Sequence, residues 1–177
     1  NTLIVFTSDH GELLGDFGCY GKRSMLDASA RVPMIARLPG VFPQNYRCDT
    51  PINLTDLFPT FLSLAGAPNE LPSKESISLM EVVGGVSKNR IVFSQFSQGE
   101  LGLYMATNRE WKYIYSAADN KEWLYDLVHD PKEIDNRIDD PACQEAFRLL
   151  KKACIQRFVS DGYHTALEGD DWKRFTP

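Results

Sequence analysis

Asn1-Thr2-Leu3-Ile4-Val5-Phe6-Thr7-Ser8-Asp9-His10-Gly11 is the stretch that decides the fold. Leu3 to Phe6 is a short continuous apolar run, the pattern of a strand covered on both faces, and it predicts a buried parallel strand. The run ends in polar residues, and open α/β sheets bind ligands outside the carboxyl ends of their strands. Asp9 and His10 therefore stand where chemistry is expected. A carboxylate oxygen and an imidazole can both serve a divalent cation, and Gly11 lets the backbone pass close by. The bland alternative is a turn or helix cap, the usual fate of an Asp-His pair in a loop. No initiator Met, charged leader or cleavage site precedes the strand pattern, so the chain is expected to start partway through a larger domain.

Outward from this strand, residues 12–31 mix glycines with both polarities and read as a loop, with a helical turn near Ser24 to Ala30. Val32 to Arg37 resumes a strand, with Pro33 at its start, where a missing donor is tolerated. Asp56 to Ala65 is helical, with Pro59 acceptable only near the first turn, and Gly66 and Pro68 stop it. Residues 69–89, rich in Ser, Pro and Gly, read as a connection. Four β-branched and aromatic runs follow, Arg90 to Phe96, Leu103 to Thr107, Trp111 to Tyr115 and Trp123 to Leu127, separated by turn residues as in an antiparallel meander. Asp140 and Pro141 then open a helix to about Val159, with Phe147, Leu150, Cys154 and Phe158 on the stripe that packs on the meander. The tail from Asp161 is polar with single aromatics and reads as a surface wrap. The expected fold class is α/β: the end of a large mixed sheet in residues 1–68, the connection 69–89, a small antiparallel sheet packed by a helix in 90–160, and the tail 161–177.

Composition excludes several functions. The 177 residues are 43% hydrophobic with a net charge of −5, enough for a real core and without a basic patch to neutralise a phosphate backbone, so nucleic acid is excluded as a partner. No apolar run approaches the roughly 18 to 20 residues of a membrane span. Of the 4 cysteines, none are in a C-x-x-C pair. Cys143 and Cys154 would lie about 16 Å apart along one helix, beyond disulfide reach. They are expected reduced and buried.

Ser8-Asp9-His10-Gly11-Glu12, then Leu14-Gly15-Asp16, then Gly21-Lys22, then Arg31-Val32-Pro33, in this order and spacing, resemble the sulfatase family of the alkaline phosphatase superfamily. Asp56-Leu57-Phe58-Pro59-Thr60 with Ala65-Gly66 is similar to that family's helix after the catalytic sheet. Trp123-Leu124-Tyr125-Asp126-Leu127 with Asp130-Pro131, Glu133 and Asn136 is similar to its C-terminal signature. The resemblance thus covers roughly residues 1 to 137. It implies that Asp9 is a metal ligand, that His10 is a second ligand or near-ligand, that the ion is Ca2+, and that Lys22 contacts the sulfate. A fixed cation there meets the charge that develops on the departing oxygen of a sulfate ester. Taken alone, Lys22 would be an ordinary solvated lysine.

Two departures accompany the resemblance. Phe17 stands where many relatives carry His, and an apolar ring there would shape a pocket. The family's formylglycine nucleophile arises in a C/S-x-P-x-R sequence, and none occurs in these residues. The first pair of metal-binding aspartates, expected on an upstream strand, is also absent. The segment is therefore expected to be part of a sulfatase, inactive by itself, with a sulfate ester as substrate and the missing N-terminal part of the catalytic domain as partner. Alternatives are a phosphodiesterase or phosphoethanolamine transferase of the same superfamily, which would use zinc, or a noncatalytic binding module. Glu12 and Asp16 are expected to hold the loop by capping or to line a polar cleft. Tyr125, Asp126 and Leu127 are expected to be an inward aromatic, a turn acid and a core leucine, and His129 and His164 surface residues. The resemblance is to periplasmic or secreted enzymes, although no residue here demonstrates export, and nothing in the sequence sets an oligomeric state.

Overall fold

The apolar run after Thr2 forms strand β1 (Ile4–Thr7) in the computed structural model, which describes residues 1–68 and 75–176. After a long loop and the single-turn helix α1 (Asp27–Ala30), strand β2 (Met34–Arg37) returns beside it. The pair is antiparallel, Val5 opposite Ala36 and Phe6 opposite Ile35. The expected parallel pairing is therefore not seen among the described residues, and neither is burial of both faces. Ile4, Phe6 and Ile35 share one face and are 55%, 61% and 63% exposed. A continuous apolar run serves a strand covered twice, and among the described residues only one side is covered.

A 3-10 turn (Leu54–Asp56) leads into helix α2 (Leu57–Leu64), which holds Pro59 in its first turn as expected. The buried Asp56 carboxylate organises this corner. It accepts from the amides of Asn53 (2.8 Å) and Ile77 (3.1 Å) and pairs with both terminal nitrogens of Arg90. Of the connection 69–89, residues 69–74 lie outside the described residues. The rest is more ordered than a plain connection, because it contains helix α3 (Leu79–Val83). Ser78 caps α3 and Glu81 reaches back to the Ser78 amide, a reciprocal pair that satisfies two end donors.

Strands β3 (Val92–Phe96), β4 (Leu103–Thr107), β5 (Trp111–Ser116) and β6 (Lys121–Asp126) form the expected meander, antiparallel throughout and in sequence order. One face carries Tyr104, Ala106, Tyr113, Tyr115 and Leu124. Helix α4 (Gln144–Ser160), entered through a Pro141–Cys143 turn capped by Asp140, presses Leu150, Cys154, Ile155 and Phe158 onto that face. Cys143 and Cys154 are free and buried, as expected. The tail departs from the surface wrap. It folds into a hairpin of β7 (Leu167–Glu168) and β8 (Asp171–Trp172), and the buried Trp172 stacks 4.5 Å from the Tyr115 ring and donates to the Tyr113 hydroxyl at 2.6 Å. Burying an indole requires a partner for its N–H, and Tyr113 supplies one.

The other face of the meander matters more for the site. Met105, Ile114 and Tyr125 cover Met25, with Leu26 and Ala30 packed beside it. The small sheet thereby holds α1, and α1 holds the loop that follows β1.

Candidate functional site

Two ends of one loop meet on α1. The Gly11 amide donates to the Ser29 carbonyl at 2.8 Å and the Glu12 amide to the Ala28 carbonyl at 2.9 Å. From the other end, the Lys22 carbonyl accepts from the Ser29 hydroxyl at 2.6 Å. A Cβ on residue 11 would sit 2.0 Å from the Ala28 oxygen, so only glycine allows this approach. The Glu12 carboxylate accepts from the Gly21 amide and the Leu13 amide bonds the Gly21 carbonyl at 3.0 Å, closing the loop. Glu12 is thus a loop holder, as its position in the sequence implies.

Asp9 is exposed, and its carboxylate accepts from the His10 amide at 3.0 Å. Slight desolvation pushes its pKa up, but hydrogen bonds from its own and the His10 amides, with the charges of His10 and Lys22, hold it below the ordinary 3.8. His10 Nδ1 lies 2.7 Å from the Gly11 carbonyl oxygen. A carbonyl only accepts, so Nδ1 carries a proton, and whenever the ring is neutral the lone pair is on Nε2. That Nε2 lies 3.5 Å from Asp9 Oδ2. Two donors at about 2.4 Å from one cation, separated by this distance, would subtend about 90° at it. A ring nitrogen fixed by a backbone carbonyl is also the usual support of a metal-ligating histidine. The pair fits part of a cation shell. Among the described residues no third His, Cys, Asp or Glu joins them.

Asp9, His10 and the exposed Lys22 line one cleft of about 970 Å³ between the β1–β2 pair and the small sheet. Phe17, at φ 56° and 53% exposed, and Tyr20, 83% exposed, stand on the outer turn of the same loop.

A second cluster lies deeper in the cleft wall, and sequence reasoning gives no sign of it. Lys112 of β5 is 2% exposed, with its ammonium against the Asp27 carboxylate and 2.6 Å from Glu133 Oε1. The other Glu133 oxygen accepts from the Asp27 amide at 2.5 Å. Burial raises the Asp27 pKa, but Lys112 and then Arg31 outweigh it and the group sits below its ordinary 3.8. For Glu133 burial dominates over Lys112, and the pKa is raised. One ammonium serves two carboxylates and favours Asp27. Glu133 belongs to the C-terminal signature, yet its partners are far away in sequence. Of the other signature residues, Tyr125 is buried and Asp126 accepts from the amides of Val128 and His129, as expected, Leu127 is half-buried at the edge of the Met25 cluster, and Asn136 Oδ1 accepts from the Leu124 amide at 2.9 Å. His129 and His164 are exposed, and among the described residues no helix is long and apolar enough to cross a membrane.

The family described as N-sulphoglucosamine sulphohydrolase, C-terminal, matches residues 15–159. The chain is 36% identical over 163 residues to a choline-sulfatase of Rhizobium meliloti, covering 86% of this chain and 31% of the relative. It is 34% identical over 150 residues to arylsulfatase K of Canis lupus familiaris, covering 77% and 28%. A solved 2-O GAG sulfatase superposes with a TM-score of 0.68 at 28% identity, over 92% of this chain and 36% of that one. A phosphonate monoester hydrolase of Silicibacter pomeroyi shares the fold, with a TM-score of 0.72 at 24% identity over 98% and 38%. The chain thus spans about a third of the length of the curated relatives it matches. Members of the matched family generally use a divalent metal. From the loop motifs through the C-terminal signature, the chain belongs to the sulfatase family and corresponds to its C-terminal portion.

Proposed function

We propose that this chain supplies one half of the active site of an enzyme that hydrolyses a sulfate ester, with Asp9 and His10 on a calcium ion and Lys22 on the sulfate. The observation that carries this reading is the Asp9–His10 pair, whose free Oδ2 and Nε2 lie 3.5 Å apart while Nδ1 is tied to a backbone carbonyl. Calcium is the finer part of the proposal. It prefers oxygen ligands, which makes Asp9 the firmer ligand of the two and His10 a ligand or near-ligand, and when bound it would supply a positive field for the sulfate oxygens. Asp9 brings a full negative charge, since its pKa is held low. His10 in its neutral form offers the Nε2 lone pair, with the ring held by the Gly11 carbonyl. Lys22, free of any buried partner and on the same cleft wall, offers an ammonium to the oxygen that departs from sulfur, where negative charge grows in the transition state.

In this reading residues 1–68 complete a catalytic α/β domain and residues 90–160 form the smaller subdomain behind it, with 69–89 between them. The nucleophile and the remaining cation ligands come from the N-terminal part of that domain, which also covers Ile4, Phe6 and Ile35. The 177 residues alone would not turn over substrate. The shared fold of a phosphonate monoester hydrolase keeps phosphoryl chemistry as the rival, but the choline-sulfatase at 36% identity and the arylsulfatase K at 34% favour sulfate ester hydrolysis. Assay of the full-length protein on an aryl sulfate and on the matching phosphate diester separates the two. Faster sulfate release is the expected result. Preference for the diester, or turnover of neither, contradicts the proposal.

A further inference from the structure

We infer that Lys112, clasped between Asp27 and Glu133, is a positioning residue that fixes the distance between the cation-binding and sulfate-binding sides of this site. The inference rests on the reading of Asp9, His10 and Lys22 given above.

The buried group joins three separate segments: α1 through Asp27, β5 through Lys112, and the turn after β6 through Glu133. Glu133 holds a left-handed conformation, φ 55°, that is uncommon outside glycine. At that position its carboxylate reaches the first amide of α1 at 2.5 Å. Helix α1 has only 4 residues and cannot hold itself together. What it carries is out of proportion to its size. Ala28 and Ser29 receive the amides of Glu12 and Gly11, next to His10, and the Ser29 hydroxyl holds the carbonyl of Lys22. Distortion of α1 therefore frees the two sides of the site from the anchor they share and lets their separation change. The apolar contacts of Met25 and Leu26 with Met105, Ile114 and Tyr125 resist separation from the sheet. Such contacts are non-directional. The charged group adds direction, because Lys112 and Glu133 define where Asp27 must sit. Lys112 is buried and its ammonium is taken up by Asp27 and Glu133, so its influence on the site runs through α1.

The test uses the full-length protein. Lys112→Met keeps the stem and removes the charge, and Glu133→Gln is the milder variant that retains an oxygen for the Asp27 amide. For Lys112→Met we expect kcat on an aryl sulfate to fall about 10- to 100-fold, with weaker inhibition by inorganic sulfate. Amide exchange at Gly11 and Glu12 should quicken about 10-fold or more while α4 keeps its protection. A merely structural role would instead loosen α4 as well and leave kcat per folded molecule unchanged; that result overturns the inference, as do unchanged turnover and unchanged loop exchange. If Lys112→Met does not fold, the same readouts on Glu133→Gln decide. The exchange measurement does not depend on the reaction. Local loosening in a protein that never hydrolyses sulfate esters would overturn the assigned chemistry and not the coupling. Full activity in Lys112→Met, with Lys22→Ala inactive, would overturn the coupling alone.

Discussion

His10 Nδ1 on the Gly11 carbonyl, and Gly11 itself against Ala28, show how much of this site is set by single atoms. Gly11→Ala would drive a methyl group into a backbone oxygen that cannot move without α1. We expect a loss of about 1–3 kcal/mol, the usual cost of overpacking, read by thermal or urea unfolding, together with reduced turnover in the full-length protein. An unchanged midpoint would mean that the loop and α1 are not so close. The buried carboxylates give a second prediction at this scale. Asp27 has a pKa below its ordinary 3.8, so its contribution is complete above that pH and is lost as pH falls through the lower folded value. Glu133 is shifted the other way, above 4.5, so its share is present below pH 4.5 and is lost as pH rises through the raised value. On acidification Glu133 should therefore favour the fold before Asp27 opposes it. In urea unfolding between about pH 7 and 2.5, Asp27→Asn should flatten the final fall and Glu133→Gln the preceding rise; curves identical to the parent would refute both assignments. Asp9 and His10 stand out as candidates in the sequence because their pattern is contiguous. Lys112 does not, since its partner Asp27 is 85 positions away and Trp-Lys-Tyr-Ile-Tyr reads as a strand with an outward lysine.

Among the elements, α4 and the meander are the most readable, since their apolar periods of 3.6 and 2 are local properties. Leu150 is fully buried between α4 and the sheet, and Leu150→Ala should cost about 2–5 kcal/mol through lost contacts and a residual cavity. A loss under about 1 kcal/mol by denaturant titration would contradict that packing. Short elements were harder to read. Ser78 and Glu81 form a capping signal visible in the sequence, but the helix behind it has 5 residues, too few to show a period among the surrounding Ser and Gly. Trp172 stands alone in a polar tail, and only the tertiary fold reveals a place for it against Tyr104 and Tyr115.

At the scale of the whole molecule, the two halves differ in how they bury themselves. The small sheet is covered on both faces by α4 and by the segment around Met25. The β1–β2 pair leaves Ile4, Phe6 and Ile35 open, and α2 adds Phe58 and Phe61, 52% and 49% exposed. A continuous apolar run predicts cover on both faces, and among the described residues one of those faces has none. The 177-residue chain alone should therefore self-associate. Phe6→Lys with Ile35→Thr should reduce that association in sedimentation experiments, whereas a monomeric parent chain would show that this face needs no cover. In the proposed function Asp9, His10 and Lys22 form one side of a site whose other side is supplied by the N-terminal part of the domain. Lys22 is exposed, so its removal should leave stability within about 0.5 kcal/mol. The most direct measurement is turnover of an aryl sulfate by full-length Lys22→Ala at an unchanged unfolding midpoint: the proposed role predicts a fall of about 10²- to 10³-fold in kcat, and turnover equal to the parent would contradict it.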